Sequence, residues 1–234
     1  MKGSLLTADW IDCPKCLLLF VTEFPFQIKV AGAPQKATLR FAGRSELLRY
    51  HRSLSPFARK SSTTIREAVE FTRLAAKRWR YYSRSGEAAG NFARLQREIR
   101  RNPKSEVAFI MVATLRQAGR DLPVGLAYCR RTWCHHLALD FLAVHPRALD
   151  RSWRVSGAGS GIAFGLVRLA NALNIPRIWG EATVNSARFY ESLLAVSSVQ
   201  DLFIIEAAEM TAIVKRQEKT SHPVLATKKA TELH

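Results

Sequence analysis

Acidic residues are scarce in this sequence: 19 aspartates and glutamates stand against 36 lysines and arginines, so 234 residues carry a net charge of +17. Cysteine is scarce as well, with four in all. They form a Cys13-Pro-Lys-Cys16 pair and a second pair, Cys129 and Cys134, with four residues between them. A zinc site wants two such pairs at ligand spacing. The second pair lies in a strand-and-turn pattern with no further ligands in order, so the expectation is free thiols and no metal. Long apolar runs are missing too. The best stretch, Cys16 to Val21, is stopped by Thr22 and Glu23, far short of the ~18 residues of a membrane span. Near the start, Asp9 and Asp12 fall where a secretory signal would keep its apolar region. A cytoplasmic location without a membrane span is therefore expected. Internal repeats and long low-complexity segments are also absent.

What remains is a globular balance, 47% hydrophobic and 24% charged, at a length that suits one domain with additions. The charge is unevenly spread. Residues 40 to 104 hold 17 basic and five acidic side chains, a local excess of +12. A field of that size concentrates anionic partners. Nucleic acid, an acidic carrier protein or a phosphorylated substrate would each fit, and so would a plain solvated surface.

Pattern along the chain gives an order of elements. Residues 1–36 read as an N-terminal extension, with an apolar patch (Leu17 to Phe20, Phe24, Phe26) broken by Pro25 and then Gly32-Ala33-Pro34 as a linker. That patch is fit to pack on the domain or on a second copy in a homodimer. Ala37 to Ala42 alternates like a short strand, and Ser45 to Leu54 reads as a short helix. Two amphipathic helices follow. One has an apolar stripe of Ile65, Val69, Leu74, Ala76 and Trp79, the other of Phe92, Leu95 and Ile99, and both carry arginines on the opposite side. Their apolar faces predict that this basic region is packed. Val107 to Leu115 and Pro123 to Trp133 read as a hairpin, and His136 to Val144 as a third strand. A helix with core face Ile162, Leu166, Leu169, Ala170 and Leu173 comes next and ends at Asn174 before Pro176. Arg177 to Val184 (strand), Ser186 to Leu194 (helix) and Val199 to Glu206 (strand) complete an α/β domain on a mixed sheet. The expected limits are 37–218 for the domain, with a basic helical segment at 44–104 and a core at 105–210, followed by a tail at 219–234.

The chemistry-bearing segment is Arg154-Val-Ser-Gly-Ala-Gly-Ser-Gly161, which opens the long apolar helix. Glycines admit a close ligand, and the N–H groups of a first helical turn favour anions. A P-loop needs Gly-Lys-Ser/Thr at its end, but Ile162 follows Gly161. A dinucleotide fingerprint needs a third glycine at position 162, which the same Ile denies it.

Three phrases in order instead resemble the GNAT N-acetyltransferase superfamily over roughly residues 37 to 210. Arg154-Val155-Ser156-Gly157-Ala158-Gly159 matches that family's Arg/Gln-x-x-Gly-x-Gly/Ala loop at every fixed position. Phe141 to Pro146 (F-L-A-V-H-P) is similar to the end of its fourth strand. Val184 to Glu191 (V-N-S-A-R-F-Y-E) is similar to its Asn-x-x-Ala-x-x-Phe/Tyr-Tyr helix. The chain departs from the family in a longer loop between Val144 and Arg154, in lacking the Gly-Phe that commonly follows the tyrosine, and in a longer stretch before Val107. The implied fold is GNAT-like: a mixed, mostly antiparallel central sheet flanked by helices, with an extended N-terminal region and an enlarged helical segment after the first strand.

The implied activity is transfer of an acetyl group from acetyl-CoA, as co-substrate, to a primary amine, without a metal. By this resemblance the N–H groups of Val155, Ser156, Gly157, Ala158, Gly159 and Ser160 hold the pyrophosphate, with Arg154 closing the loop. Main-chain groups near Leu142, Ala143 and Val144 bind the pantetheine arm, and Asn185 contacts or supports it. Tyr190 is the general acid beside the departing sulfur. An amine arrives protonated, so a base is needed as well. Asp140 is the candidate, four residues before Val144 and on its face by period-two counting, with Glu181 the rival. The plainer reading of Asp140 is a carboxylate paired with an arginine, and of Tyr190 a core aromatic. His135, His136 and His145 are read as structural. The acceptor is an amine, anionic or attached to an acidic macromolecule. Two alternatives remain: a long-chain acyltransferase fed by an acyl carrier protein docked on the 44–104 helices, or a nucleic-acid-binding module without catalysis.

Overall fold

The computed structural model describes residues 23–58, 62–150 and 153–221 (side chains of 220 and 221 excepted). Cys13, Cys16, the patch at Leu17 to Phe20 and the end of the tail lie outside the described residues.

One nine-stranded sheet organises the chain. Its strands are β1 (Glu23–Val30), β2 (Ala33–Phe41), β3 (Ala88–Ala89), β4 (Val107–Gln117), β5 (Arg120–Arg131), β6 (Leu137–Val144), β7 (Val155–Ser156), β8 (Ile178–Glu181) and β9 (Leu202–Ile205). They lie in the order β7-β1-β2-β4-β5-β6-β8-β9, with β3 beside β4. Pairing is antiparallel except β3 with β4 and β6 with β8. This is the mixed, mostly antiparallel sheet flanked by helices that the sequence resemblance implies.

The helices are α1 (Arg44–Ser53), α2 (Thr63–Arg84), α3 (Phe92–Arg101), the single turn α4 (Pro146–Leu149), α5 (Ala158–Ala172), α6 (Val184–Leu194) and α7 (Ala207–Ser221). Helices α3, α5, α6 and α7 feed one core with Phe24, Leu39, Phe109 and Cys129 from the sheet. Helices α1 and α2 cover the other face over Ile110, Val112, Leu126 and Tyr128. Parallel neighbours need a crossover, and α5 is the one between β6 and β8.

Three expectations change. Residues 23–36 are not an extension. Phe24, Phe26 and Ile28 alternate into the core at 3% exposure or less, and Gly32-Ala33-Pro34 turns β1 onto β2 in register from Val30↔Ala33 to Glu23↔Arg40. Pro25 is tolerated inside β1 although Thr38 lies opposite it. The stripe of α2 runs through Ile65, Ala68, Val69, Thr72, Ala75, Ala76 and Trp79, a strict helical period that leaves Leu74 exposed. Finally, residues 207–221 form a helix, α7, which buries Met210 and Ile213 and carries no strong stripe in the sequence.

Two glycines of α5 set its distance from the sheet. A Cβ on Gly165 would come within 2.7 Å of Leu39 Cδ2, and one on Gly161 would overlap the ring of Phe26. Of the glycine-rich segment, then, Gly161 serves packing rather than a ligand.

Candidate functional site

The turn into α5 is shaped by its backbone. Arg154 has φ +44 and its carbonyl accepts the N–H of Ala31 at 3.2 Å. Val155 and Ser156 sit in a two-residue ladder with Val30 and Lys29 of β1. Gly157 then adopts φ +85, which an L side chain rarely accepts, and starts the helix without any side-chain cap. The first N–H groups of a helix have no partner inside it. The first intrahelical bond here is Gly161 N–H to Gly157 O at 2.8 Å. The N–H groups of Gly157, Ala158, Gly159 and Ser160, four of the six residues expected, therefore have no partner inside the helix. A Cβ on Gly159 would come within 3.0 Å of the Phe189 ring, so this turn lies directly against α6, one residue from Tyr190.

The second feature is a split in the sheet. Strand β6 pairs with β8 only at Leu137↔Ile178 and Ala138↔Trp179. Beyond that point its other edge continues along β5, with Leu142↔Ala127, Ala143↔Leu126 and Val144↔Gly125. Among the described residues the β8-facing edge of Leu142, Ala143 and Val144 is thus left without a strand partner.

Tyr190 is 5% exposed and stacks on Phe203, with centroids 3.8 Å apart and planes 14° apart. Burial pushes its phenol up, with Cys129 adding to the shift. The hydroxyl makes no hydrogen bond among the described residues. It is a protonated donor with its proton uncommitted.

The carboxylates divide sharply. Asp140 is held by Arg130 through two bonds, Nε to Oδ2 at 2.7 Å and Nη2 to Oδ1 at 3.0 Å, and Arg78 of α2 lies 3.5 Å away. Both oxygens are occupied by cations, the plainer of its two readings. Its face also differs from the period-two expectation. The register of β6 slips between Tyr128↔Phe141 and Cys129↔Leu139, so Asp140 is a bulge residue. It points with Phe141 toward α2, while Leu142 packs in the opposite core. Alternation does not survive a bulge. Glu181, the rival, is exposed at the end of β8.

Sequence reasoning misses Glu67. This half-buried residue of α2 accepts Asn185 Nδ2 at 2.8 Å and Thr183 Oγ1 at 3.2 Å. Thr183 caps α6, so the contact joins α2 to the start of α6 at the split between β6 and β8. Both of its donors are neutral. Nothing local marks Glu67, since its partners lie 116 and 118 residues away. Asn185, expected to contact or support the donor's arm, donates one amide hydrogen to Glu67.

The histidines have structural partners. His145 is fully buried. Its Nδ1 accepts Arg147 N–H at 3.1 Å, and its Nε2 lies 2.9 Å from Ser53 Oγ. Since that hydroxyl already donates to Tyr50 O at 2.6 Å, Nε2 carries the proton. Burial, with Arg147 nearby, holds the ring at a pKa of about 3. His135 lies between Arg131 and Asn174 O. Cys129 is buried and Cys134 exposed, both as thiols. Among the described residues no metal-binding cluster occurs, and no helix is long and apolar enough to cross a membrane.

No family model matches the chain, and no curated protein matches it. Among solved structures, it is similar to a Bacillus anthracis str. Ames protein assigned as a streptothricin acetyltransferase, in complex with acetyl coenzyme A. The identity is 17% and the TM-score 0.31, over 42% of this chain and 62% of that one. It is also similar to a Desulfovibrio desulfuricans protein assigned as an acetyltransferase of the GNAT family, at 15% identity and TM-score 0.39, over 73% of this chain and 98% of that one.

Proposed function

We propose that the protein is an N-acetyltransferase that moves an acetyl group from acetyl-CoA to a primary amine. The observation that carries this reading is the uncapped first turn of α5 lying against Phe189, next to Tyr190. It is supported by the strand edge that β6 leaves unpaired beyond Ala138 and by a Tyr190 hydroxyl with no hydrogen-bond partner among the described residues. The residues fit the donor. Gly157 to Ser160 present N–H groups and the positive end of a helix to a diphosphate, and Gly159 has no side chain to fill the space against Phe189. When bound, the donor supplies an acyl group activated as a thioester.

The chain's own residues then have separable tasks. The open edge at Leu142 to Val144 offers main-chain donors and acceptors that orient an extended arm. A backbone N–H there, aimed where carbonyl charge develops, lowers the barrier. Tyr190 donates at the sulfur. With its pKa raised it acts first as a hydrogen-bond donor. Glu67 takes the proton that an ammonium must lose before attack, because among the described residues Asp140 is committed to two arginines and Glu67 to none. Asn185 and Thr183 hold that carboxylate in place.

Calorimetric titration with acetyl-CoA tests the reading. Two variants are set beside the wild type: Gly157→Glu, and Ser160→Glu, which keeps a residue type that first turns favour. Saturable binding to the wild type, lost in both variants, supports it. Failure of the wild type to bind, or equal binding by Ser160→Glu, overturns it.

A further inference from the structure

Six of the 17 basic side chains of residues 40–104 have partners among the described residues. Arg73 pairs with Glu70, Arg78 with Asp140, Arg49 with Glu46 and Arg40 with Asp121. Arg80 bonds Ala76 O, and Arg94 bonds Gly86 O. Helix α3 is different. Its exposed side is an open surface presenting Ala93, Gln96, Arg97, Arg100 and Arg101. Among the described residues none of these three guanidinium groups meets a carboxylate or a carbonyl. Glu98, the helix's one carboxylate, forms no ion pair with them. Arg100 and Arg101 do complement the helix's negative end, but that end amounts to about half a charge, against three.

We infer that this face of α3 docks the phosphate backbone of double-stranded nucleic acid, without reading sequence. The charge density agrees. Arg97 to Arg101 spans about 6 Å of helix axis, and a duplex carries about one negative charge per 1.7 Å, so three to four charges meet three arginines. The residue type agrees too, since a guanidinium fork matches phosphate oxygens in pairs where an ammonium is a point charge. The face has no aromatic or large aliphatic side chain, the usual anchors of a protein partner, whereas tracking a backbone needs none. This site is independent of the acetyl-donor site on α5.

The test is fluorescence anisotropy with a labelled DNA duplex of about 20 base pairs between about 50 and 200 mM salt. The wild type is compared with Arg97→Ala/Arg100→Ala/Arg101→Ala and with the same three positions changed to Lys. Three phosphate contacts give a slope of log affinity against log salt of about −2.7, a loss of about 40-fold over that range. The Ala variant is expected to bind more weakly and to flatten the slope by about 2.7. The Lys variant keeps most of the slope at lower affinity. An unchanged slope in the Ala variant overturns the inference, as does a wild type that ignores the duplex while binding poly-glutamate, which would assign the face to an acidic protein. Circular dichroism confirms that the variants fold, and acetyl-CoA titration should be the same in all three proteins.

Discussion

Gly161→Ala is the sharpest perturbation the structure offers, because two large effects oppose each other. In an open helix interior the change would stabilise, since alanine is favoured over glycine by about 1 kcal/mol. At position 161 the new methyl meets Phe26, a ring 3% exposed in the first core. Even the most distant of the three ring atoms it approaches, Cγ, would be at 2.8 Å, against about 3.5–4.0 Å for carbon atoms in contact. Neither partner can retreat cheaply, with the ring held by β1 and the helix seated on the sheet again at Gly165. Overpacking of this kind costs about 1–3 kcal/mol, and the depth of the overlap places it at the upper end. The net result is destabilisation by about 2 kcal/mol, a fall in melting midpoint of about 4–8 °C at this chain length. Thermal and urea unfolding would measure it, with Gly90→Ala as control, because a Cβ there meets nothing within 4 Å. A Gly161→Ala midpoint at or above that of the wild type would refute the reasoning, since it would mean that α5 is not seated on Phe26.

Other outcomes follow from the site. Asp140→Asn leaves Arg130 with Glu106 alone, at 2.9 Å, and removes the carboxylate beside Arg78, and it is expected to destabilise by about 1–3 kcal/mol in urea. With acetyl transfer established, it should leave turnover within a few fold of wild type, whereas Glu67→Gln should lower it about 10²-fold. Tyr190→Phe keeps the stack on Phe203, so its midpoint should stay within about 1 kcal/mol of wild type. Its turnover should fall about 10²-fold with donor binding unaltered, and equal turnover would remove the tyrosine from the mechanism. His145 binds its proton more weakly folded, at about 3, than unfolded near 6.5. Between those values the unfolded chain holds more protons, so stability falls as pH drops, by up to about 1.4 kcal/mol per unit. A His145→Gln variant should show a shallower loss from pH 6.5 downward in acid-unfolding curves.

Legibility followed the range of the interactions. The helix α5, its end at Asn174 and the hairpin β4–β5 were readable because periodicity, turn residues and the Gly-rich start lie within a few positions. β1 was taken for an extension because Pro25 interrupts its alternation, and the Ala33-Pro34 of the turn resembles a linker until Val30 is seen to pair with Ala33. The uncapped turn at Gly157 was legible for the same local reason as α5. Glu67 was not, since only the approach of α2 to α6 gives it meaning. The face of Asp140 was misread because L-A-L-D-F-L-A-V looks like unbroken alternation, and nothing in a bulge residue's own identity announces the slip. Gly161 was counted with the loop glycines, although the ring that requires it lies in a strand more than 130 residues earlier.

That slip in β6 has an architectural meaning. Leu139 still faces Cys129 and Phe141 still faces Tyr128, so Asp140 behaves as one residue inserted into an otherwise regular ladder. Excising it would leave every neighbouring side chain on its present face. Strand β6 loses β8 immediately before the insertion, after Ala138, and bulges bend the strand that holds them. The opening beside which the proposed reaction takes place therefore begins within two residues of a one-residue insertion in the ladder. A chain lacking position 140 would gain hydrogen bonds between β6 and β8 and lose the cleft.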